Sequence, residues 1–327
     1  MEVKGFSVMT QMVTVFGGSG FVGKQVVRAL AKLGWRIRVA VRQPVIAYDL
    51  KPNGDVGQIQ VVRCDIRRDA DIQAALHGAD AVINLVGIRH QSMGQSFDAL
   101  HRAAATRVAE LAAAKGIHNF VQVSALGADP KAPSQYSASK AKGEDGVRKA
   151  IPQAVILRPS LIFGPQDSFI TELAGQVKAF PLMPAVGGGK AKFQPVYVGD
   201  VAAAVAHVLG RESAYGQTYE LGGPEVYSFN DLIKYVGREV MAPRPLIYLP
   251  TLGARVIAVF GDIAVGLGFP PILTTDQVLM LKRDYVVHGK GLRDLGIAAT
   301  ALESIAPSYL WRFRTNGQFA IPVSADV

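Results

Sequence analysis

The glycine run Gly17-Gly18-Ser19-Gly20-Phe21-Val22-Gly23 constrains this chain more than any other feature. It is entered directly from the apolar run Met12 to Phe16 and left through a helical pattern reaching Leu30. Each glycine has a physical task. Gly17 permits a tight turn, Gly20 lets the backbone approach a diphosphate without a Cβ in the way, and Gly23 lets the helix pack close to the strand. The helix then turns its free N–H groups and the positive end of its dipole toward the phosphates. A glycine turn alone says little; this one lies between a clear strand and a clear helix.

Beyond Leu30 the chain repeats that alternation. Arg36 to Val41, Ile59 to Cys64, Ala81 to Val86, Phe120 to Val123 and Val155 to Arg158 read as strands two to six. Between strands four and five, Phe97, Leu100, Ala104, Val108 and Leu111 recur at steps of three and four, the apolar face of a helix packed on a sheet. Strands alternating with helices predict an α/β, Rossmann-type doubly wound parallel sheet. The expected organisation is an N-terminal extension over 1–11, a dinucleotide-binding domain over 12–222 with a loop insertion at about 166–190, and a smaller, discontinuous C-terminal domain over 223–327. Gln194 to Val198 reads as a strand and Val201 to Leu209 as a helix, which together rejoin the main sheet. Ser228 with Asp231 is a capping box opening another helix.

Two positions bear on the dinucleotide. At the end of strand two, an NAD site usually carries an acid for the ribose 2′-OH and an NADP site an arginine near the 2′-phosphate. Here Arg42 comes first and no acid follows until Asp49. Arg42 therefore favours NADP(H) and leaves NAD(H) open, the plainer reading being a solvated charge at a strand end. Asp65 and Ile66, directly after strand three, fall where an adenine edge lies, although Asp65 is equally suited to cap a helix. Further on, Tyr136 and Lys140 stand four residues apart on one helix face just after strand five. In that setting Lys140 is expected to lower the pKa of Tyr136 and to hold the nicotinamide ribose, leaving the phenol as a general acid or base. Ordinary surface positions on a helix are the alternative.

These segments, with Asn84-Leu85-Val86-Gly87 and Leu157-Arg158-Pro159-Ser160-Leu161-Ile162-Phe163-Gly164-Pro165, resemble the extended and atypical short-chain dehydrogenase/reductases and the NAD-dependent epimerase/dehydratase superfamily. More narrowly, FGGSGFVGKQVVRALAKLGWRIRVAVRQP, FGPQDSFI, QPVYVGDVA and YLWRFRTNGQF resemble the short-chain-dehydrogenase-like accessory subunits of respiratory complex I, NADH:ubiquinone oxidoreductase. The resemblance runs from residue 12 to about 320. It implies a tightly held NADPH with a structural role, on a protein docked at the quinone-binding arm. The location it implies is peripheral, on the cytoplasmic face of a bacterial inner membrane or the equivalent matrix side. By the same resemblance Gly17, Gly20, Phe21 and Val22 contact the pyrophosphate, with Ser19 inside the same loop, and Arg42 the 2′-phosphate. Val86, Gly87, Ser124, Tyr136, Lys140 and Pro159 line the nicotinamide side. Active reductases carry a Ser or Thr after strand five that hydrogen-bonds the reacting oxygen. Here Ser124 falls a residue or two early, and Ala125 and Leu126 occupy the corresponding positions. Losing such a donor costs about 10² to 10³ in rate.

The rest of the sequence narrows the field. A formal charge of +9 points to an anionic partner, but the Lys and Arg residues are scattered, with no basic run of five, so nucleic acid is not expected. Six histidines without HxxxH or HxH spacing, and the single Cys64, argue against a metal site and exclude an intrachain disulfide. The start, MEVKGFSVMTQM, has no apolar core of a secretory signal. The longest apolar stretch, Ile263 to Thr275, is 13 uncharged residues, against the roughly 20 that a spanning helix needs. Asp200, before an Ala-rich helix, reads as its cap rather than as a catalytic acid. Residues 245–280 are apolar and rich in Gly and Pro, suited to the core of a small domain or to a partner surface, the latter being what the resemblance implies.

Three functions remain. One is a non-catalytic NADP(H)-holding subunit. The second is an NADP-dependent reductase or epimerase acting on a small or quinone-like substrate, with Tyr136 and Lys140 as its catalytic pair. The third is a nucleotide-sensing regulator, which predicts a readily exchanged cofactor.

Overall fold

The computed structural model describes residues 11–92, 94–266 and 274–319. The expected N-terminal extension lies outside the described residues apart from residue 11, as does much of the apolar stretch after residue 266. The first strand β1 (Met12–Phe16) leads through the glycine run into α1 (Phe21–Lys32), then β2 (Arg36–Val41) and β3 (Ile59–Arg63). The chain continues as α2 (Asp69–Ala75), β4 (Ala81–Asn84), α3 (Ala104–Ala114), β5 (Asn119–Val123), α4 (Gln135–Ala150) and β6 (Val155–Pro159). All pairings in the main sheet are parallel, in the order β3-β2-β1-β4-β5-β6. The strand order therefore reverses between β1 and β4. In open sheets of this kind the crevice at that reversal, above the carboxyl ends of the strands, is where ligands bind.

The sheet is buried on both faces, which is why its strands read as continuous apolar runs. On one side Val26, Val27 and Leu30 of α1 pack on Val13, Val15, Ile37 and Val39. On the other, Leu100, Ala104 and Val108 cover Phe16, Val82 and Phe120. Burial of these larger apolar side chains stabilises the fold by roughly 1.5–3 kcal/mol each.

After β6 the structure departs from the expected layout. The chain forms β7 (Ile162–Phe163), α5 (Phe169–Ala179), β8 (Met183–Val186), β9 (Lys192–Phe193), β10 (Val196–Tyr197) and α6 (Val198–Val208). Over 166–190, where a loop insertion is expected, α5 and β8 are ordered elements. Their apolar residues Ile170, Leu173, Val177 and Met183 bury against residues from much later in the chain. β10 pairs with β7 rather than joining the main sheet. The edge position beside β6 goes instead to β11 (Thr218–Leu221), a strand the sequence reading misses. β12 (Tyr227–Ser228) precedes α7 (Phe229–Glu239), whose Ser228–Asp231 capping box forms as read. β13 (Leu246–Leu249) then pairs with β8, followed by α8 (Thr251–Gly266) and α9 (Thr275–Met280). No helix among the described residues is long and apolar enough to cross a membrane.

Asp200 does not cap α6. It lies inside the first turn, buried, and accepts hydrogen bonds from the Thr300 amide at 2.7 Å and the Thr300 hydroxyl at 3.0 Å. The helix begins earlier than read, at Val198, so this carboxylate ties a distant segment to the domain instead.

Candidate functional site

The bend after β1 is built as the glycines require. Gly17 has φ +81°, where a side chain is strained, and its amide donates to Ala40 O at 3.2 Å. The Gly20 amide closes the turn on Gly17 O at 3.1 Å. A Cβ at Gly23 would collide with Gly17 O and come within 2.6 Å of the Gly18 Cα, so the helix can approach only with glycine there. The first turn of α1 has Gly20 as its cap and no side chain bonded to its amides. Phe21 and Val22 therefore present backbone donors toward the bend.

Above the bend is a cleft of about 490 Å³. Gly17, Ser19 and Gly20 form its floor, Val86 and Gly87 one wall, and Arg42 its far end, with Ile66 opposite. All seven are residues singled out from the sequence. Gln43, Ile46, Ile88, Gln95 and Leu100 complete the lining and carried no sequence signal of their own. Among the described residues Arg42 is exposed and makes no hydrogen bond or ion pair. The nearest acid in sequence, Asp49, is instead engaged by Lys24 at 2.6 Å.

Asp65 faces away from this cleft, whose wall at that point is Cys64 and Ile66. Its carboxylate accepts from the Arg67 guanidinium at 2.7 and 2.9 Å and from the Arg67 amide at 3.1 Å. Those bonds hold it down at about 2. It caps no helix either, since α2 starts at Asp69 with Arg68 as its cap.

On the nicotinamide side, the wall after β4 is fixed by buried amides. Asn84 donates to Gln122 Oε1 at 2.9 Å across paired strands, and its own oxygen accepts from the Val86 amide at 3.1 Å. Lys140 is buried and reaches this wall: a Cβ on Gly87 would lie 3.0 Å from its Nζ. Burial lowers Lys140 to about 8, against the opposing pull of Glu144 one turn further on. Glu144 is itself held by Arg158 at 2.6 Å. Tyr136 moves the opposite way from expectation. Burial pushes its phenol up to about 12, with Tyr285 adding to the shift and Arg89 opposing it. Lys140 lies over the Tyr136 ring, 5.9 Å from its centroid. Desolvation outweighs any cation nearby, so the expected lowering of the Tyr136 pKa is corrected.

Ser124 follows β5, its amide donating to Leu157 O at 2.7 Å, and its buried hydroxyl has no hydrogen-bond partner. Pro159 ends β6, where its carbonyl accepts from Leu126 N at 2.8 Å. Leu126 is buried in the apolar cluster that includes Phe163 and Tyr285. A dinucleotide fits these residues: the bend has room only where side chains are missing, an arginine is free at the adenosine end, and a buried hydroxyl lacks a partner at the other.

His101 is a site residue that the sequence reading missed. It is buried within a π-helical turn (Asp98–Ala103), a form frequent at functional sites. It stacks on Phe97 with centroids 5.3 Å apart and meets the Tyr136 ring edge-on at 5.4 Å. Its place in the apolar period, one turn after Phe97, was the available signal for a buried imidazole. Among the described residues no three His, Cys, Asp or Glu side chains gather to hold a metal.

Comparison with known proteins adds to this geometry. Residues 13–222 match the NAD dependent epimerase/dehydratase family. The chain is 34% identical to NADH dehydrogenase [ubiquinone] 1 alpha subcomplex subunit 9, mitochondrial, of Arabidopsis thaliana, over 98% of this chain and 83% of that one. It is 31% identical to the ceramide reductase of Caulobacter vibrioides over 74% of each. Among solved structures, an NADPH-dependent quinone oxidoreductase of Escherichia coli complexed with NADPH shares the fold. That likeness has a TM-score of 0.72 and 21% identity, and covers 92% of this chain and 100% of that one.

Proposed function

The chain belongs to the NAD dependent epimerase/dehydratase family, in the group that contains the complex I alpha subcomplex subunit 9 proteins, and on that premise we propose that it is a non-catalytic accessory subunit of respiratory complex I that holds NADP(H). The pyrophosphate would lie on the amides of Gly20, Phe21 and Val22, the 2′-phosphate against Arg42, and the nicotinamide ribose against Tyr136 and Lys140. The cofactor supplies binding free energy here: a ligand held only by the folded state stabilises it by RT ln(1 + [L]/Kd). Docking is proposed at the quinone-binding arm, peripheral to the membrane, on its cytoplasmic or matrix side.

The observation that carries the non-catalytic reading is the state of the acid/base pair. Tyr136 is pushed to about 12, away from the neutral range where a proton shuttle works. The positions after β5 where a reductase places its hydroxyl are Ala125 and Leu126, and Leu126 is buried in the core. A second reading, an NADP-dependent reductase or epimerase acting on a small or quinone-like substrate, is favoured by the retained Tyr136 and Lys140 and by the likeness to a ceramide reductase.

Gentle solubilisation of membranes from the native host followed by a native gel tests the first reading. Co-migration with complex I is expected, and a purely soluble pool overturns it. Chromatography of nucleotide released on denaturing the purified protein is expected to give NADP(H); NAD(H) alone overturns the Arg42 assignment.

A further inference from the structure

His101 lies at a junction between two parts of the cleft that no strand joins. The turn after β4 carries Gly87 and Ile88, which line the cleft; helix α4 carries Tyr136 and Lys140. The Ile88 amide donates to His101 Nε2 at 3.0 Å. On the other side of the ring, Nδ1 lies 3.0 Å from Ser139 Oγ, and that hydroxyl donates to Tyr136 O at 2.8 Å. The hydrogens can be placed from these contacts alone. Nε2 must offer a lone pair to Ile88, and Ser139 has spent its proton on Tyr136, so the ring is the neutral Nδ1–H tautomer.

We propose that His101 is a positioning residue: its uncharged ring, accepting from Ile88 and donating to Ser139, fixes the Gly87–Ile88 turn against the helix of Tyr136 and Lys140 and so sets where the nicotinamide half of the dinucleotide lies. This rests on the cofactor reading above.

Three observations support it. Lys140 Nζ and His101 Nε2 both face Gly87, at 3.0 and 3.6 Å from where its Cβ would be. Two cations so close in a buried setting would repel, and burial with Lys140 beside it lowers His101 to about 2. The segment carrying His101 also approaches α4 so closely that a Cβ on Gly143 would strike the His101 carbonyl oxygen. The ring therefore has one position and one protonation state, which suits a spacer. By contrast, nothing in its contacts reaches Arg42 or the glycine bend.

That asymmetry supplies the test. His101→Phe keeps the ring stacked on Phe97 and loses both hydrogen bonds. His101→Gln presents one acceptor and one donor on a planar amide and serves as the rescue. Affinities are measured on the full chain for two probes, NADPH and adenosine 2′,5′-bisphosphate, which carries only the adenosine half. For His101→Phe we expect NADPH to weaken about tenfold, the equivalent of one or two lost hydrogen bonds, while the bisphosphate changes less than about twofold. His101→Gln is expected to recover most of the loss, and Ser139→Ala to weaken NADPH alone, by less. Equal weakening of both probes, or no weakening of NADPH, overturns the proposal. Should His101→Phe fail to fold, the same comparison on His101→Gln and Ser139→Ala decides it. Wild-type protein that binds neither probe would defeat the cofactor reading itself, a different result from any of these.

Discussion

The Lys140 ammonium lies over the ring of Tyr136, 5.9 Å from its centroid, in a setting closed enough to bring the amine down to about 8. Both residues come from the same face of α4, one helical turn apart, as their spacing requires. Their titrations move apart: burial disfavours the cation of one and the phenolate of the other.

The lowered Lys140 makes stability depend on pH in a definite direction. Between about 8 and its ordinary 10.5, the folded protein has released a proton that the unfolded chain still holds, so stability rises with pH across that window. Below it the buried charge carries its full cost. Lys140→Met is therefore expected to stabilise the nucleotide-free protein by about 1–3 kcal/mol near neutrality, with the gain shrinking toward about pH 10. Cofactor affinity has the opposite sense, because ribose hydroxyls that accept from the ammonium favour the charged form. It is expected to weaken as pH climbs past about 8 in the wild type and to lose that dependence in the variant. Thermal denaturation and fluorescence titration over a pH series measure both; a constant difference in melting temperature at every pH would contradict the assignment.

Two glycines beside the same Gly17 carbonyl should separate folding from binding, because each would place a Cβ differently. An alanine Cβ at Gly20 meets only Gly17 O, at 3.3 Å, and the backbone there is extended, with φ −74°. At Gly23 the Cβ would lie 2.6 Å from the Gly18 Cα, against backbone that cannot give way. Gly23→Ala is expected to destabilise by about 1–3 kcal/mol, as other overpacked sites do, and to lose nucleotide binding. Gly20→Ala is expected to melt within a degree or two of wild type yet bind NADPH about tenfold or more weakly, through crowding at the diphosphate. Calorimetric melting beside a binding titration distinguishes them.

Arg42 is the side chain on which cofactor choice turns. It is exposed at the adenosine end of the cleft, and the competing acid Asp49 is held by Lys24. A guanidinium against a phosphate forms charge-assisted hydrogen bonds, which neutral hydroxyls do not replace. Arg42→Ala is expected to lower NADPH affinity by about 10- to 100-fold and to change NADH affinity by less than about threefold. An equal loss for both nucleotides would show that the residue supports the fold and reads no phosphate.

Much of the fold was legible in the sequence because parallel strands buried on both faces must be apolar throughout. β1 and β2 start and stop where their runs of Val, Ile and Phe do. The bend was legible because few arrangements require glycine at 17, 20 and 23 together. What stayed hidden was set by pairing between distant segments. β11, Thr218 to Leu221, is four residues with Glu220 among them; only its place beside Ile156 to Pro159 makes it a strand. Asp200 looked like a cap because it precedes alanines, whereas its partner Thr300 is 100 residues away. His101 read as a lone histidine because its partners, Ile88 and Ser139, come from two other elements.

Ser124 and Tyr136 together decide between a held cofactor and a turned-over one. Ser124 Oγ is buried without a partner, and an unpaired buried hydroxyl costs about 1–3 kcal/mol. Ser124→Ala is accordingly expected to leave the nucleotide-free protein as stable as wild type or more so, while weakening NADPH. Tyr136→Phe removes a phenol that burial holds near 12, so it deletes a hydrogen bond to the cofactor and no working acid. An accessory subunit carrying it should still co-migrate with complex I on a native gel and retain nucleotide, with affinity reduced by about tenfold or less. If instead NADPH oxidation against a carbonyl or quinone substrate is found in the wild type and falls by about 10² or more in Tyr136→Phe, the phenol is a general acid and the reductase reading replaces the structural one.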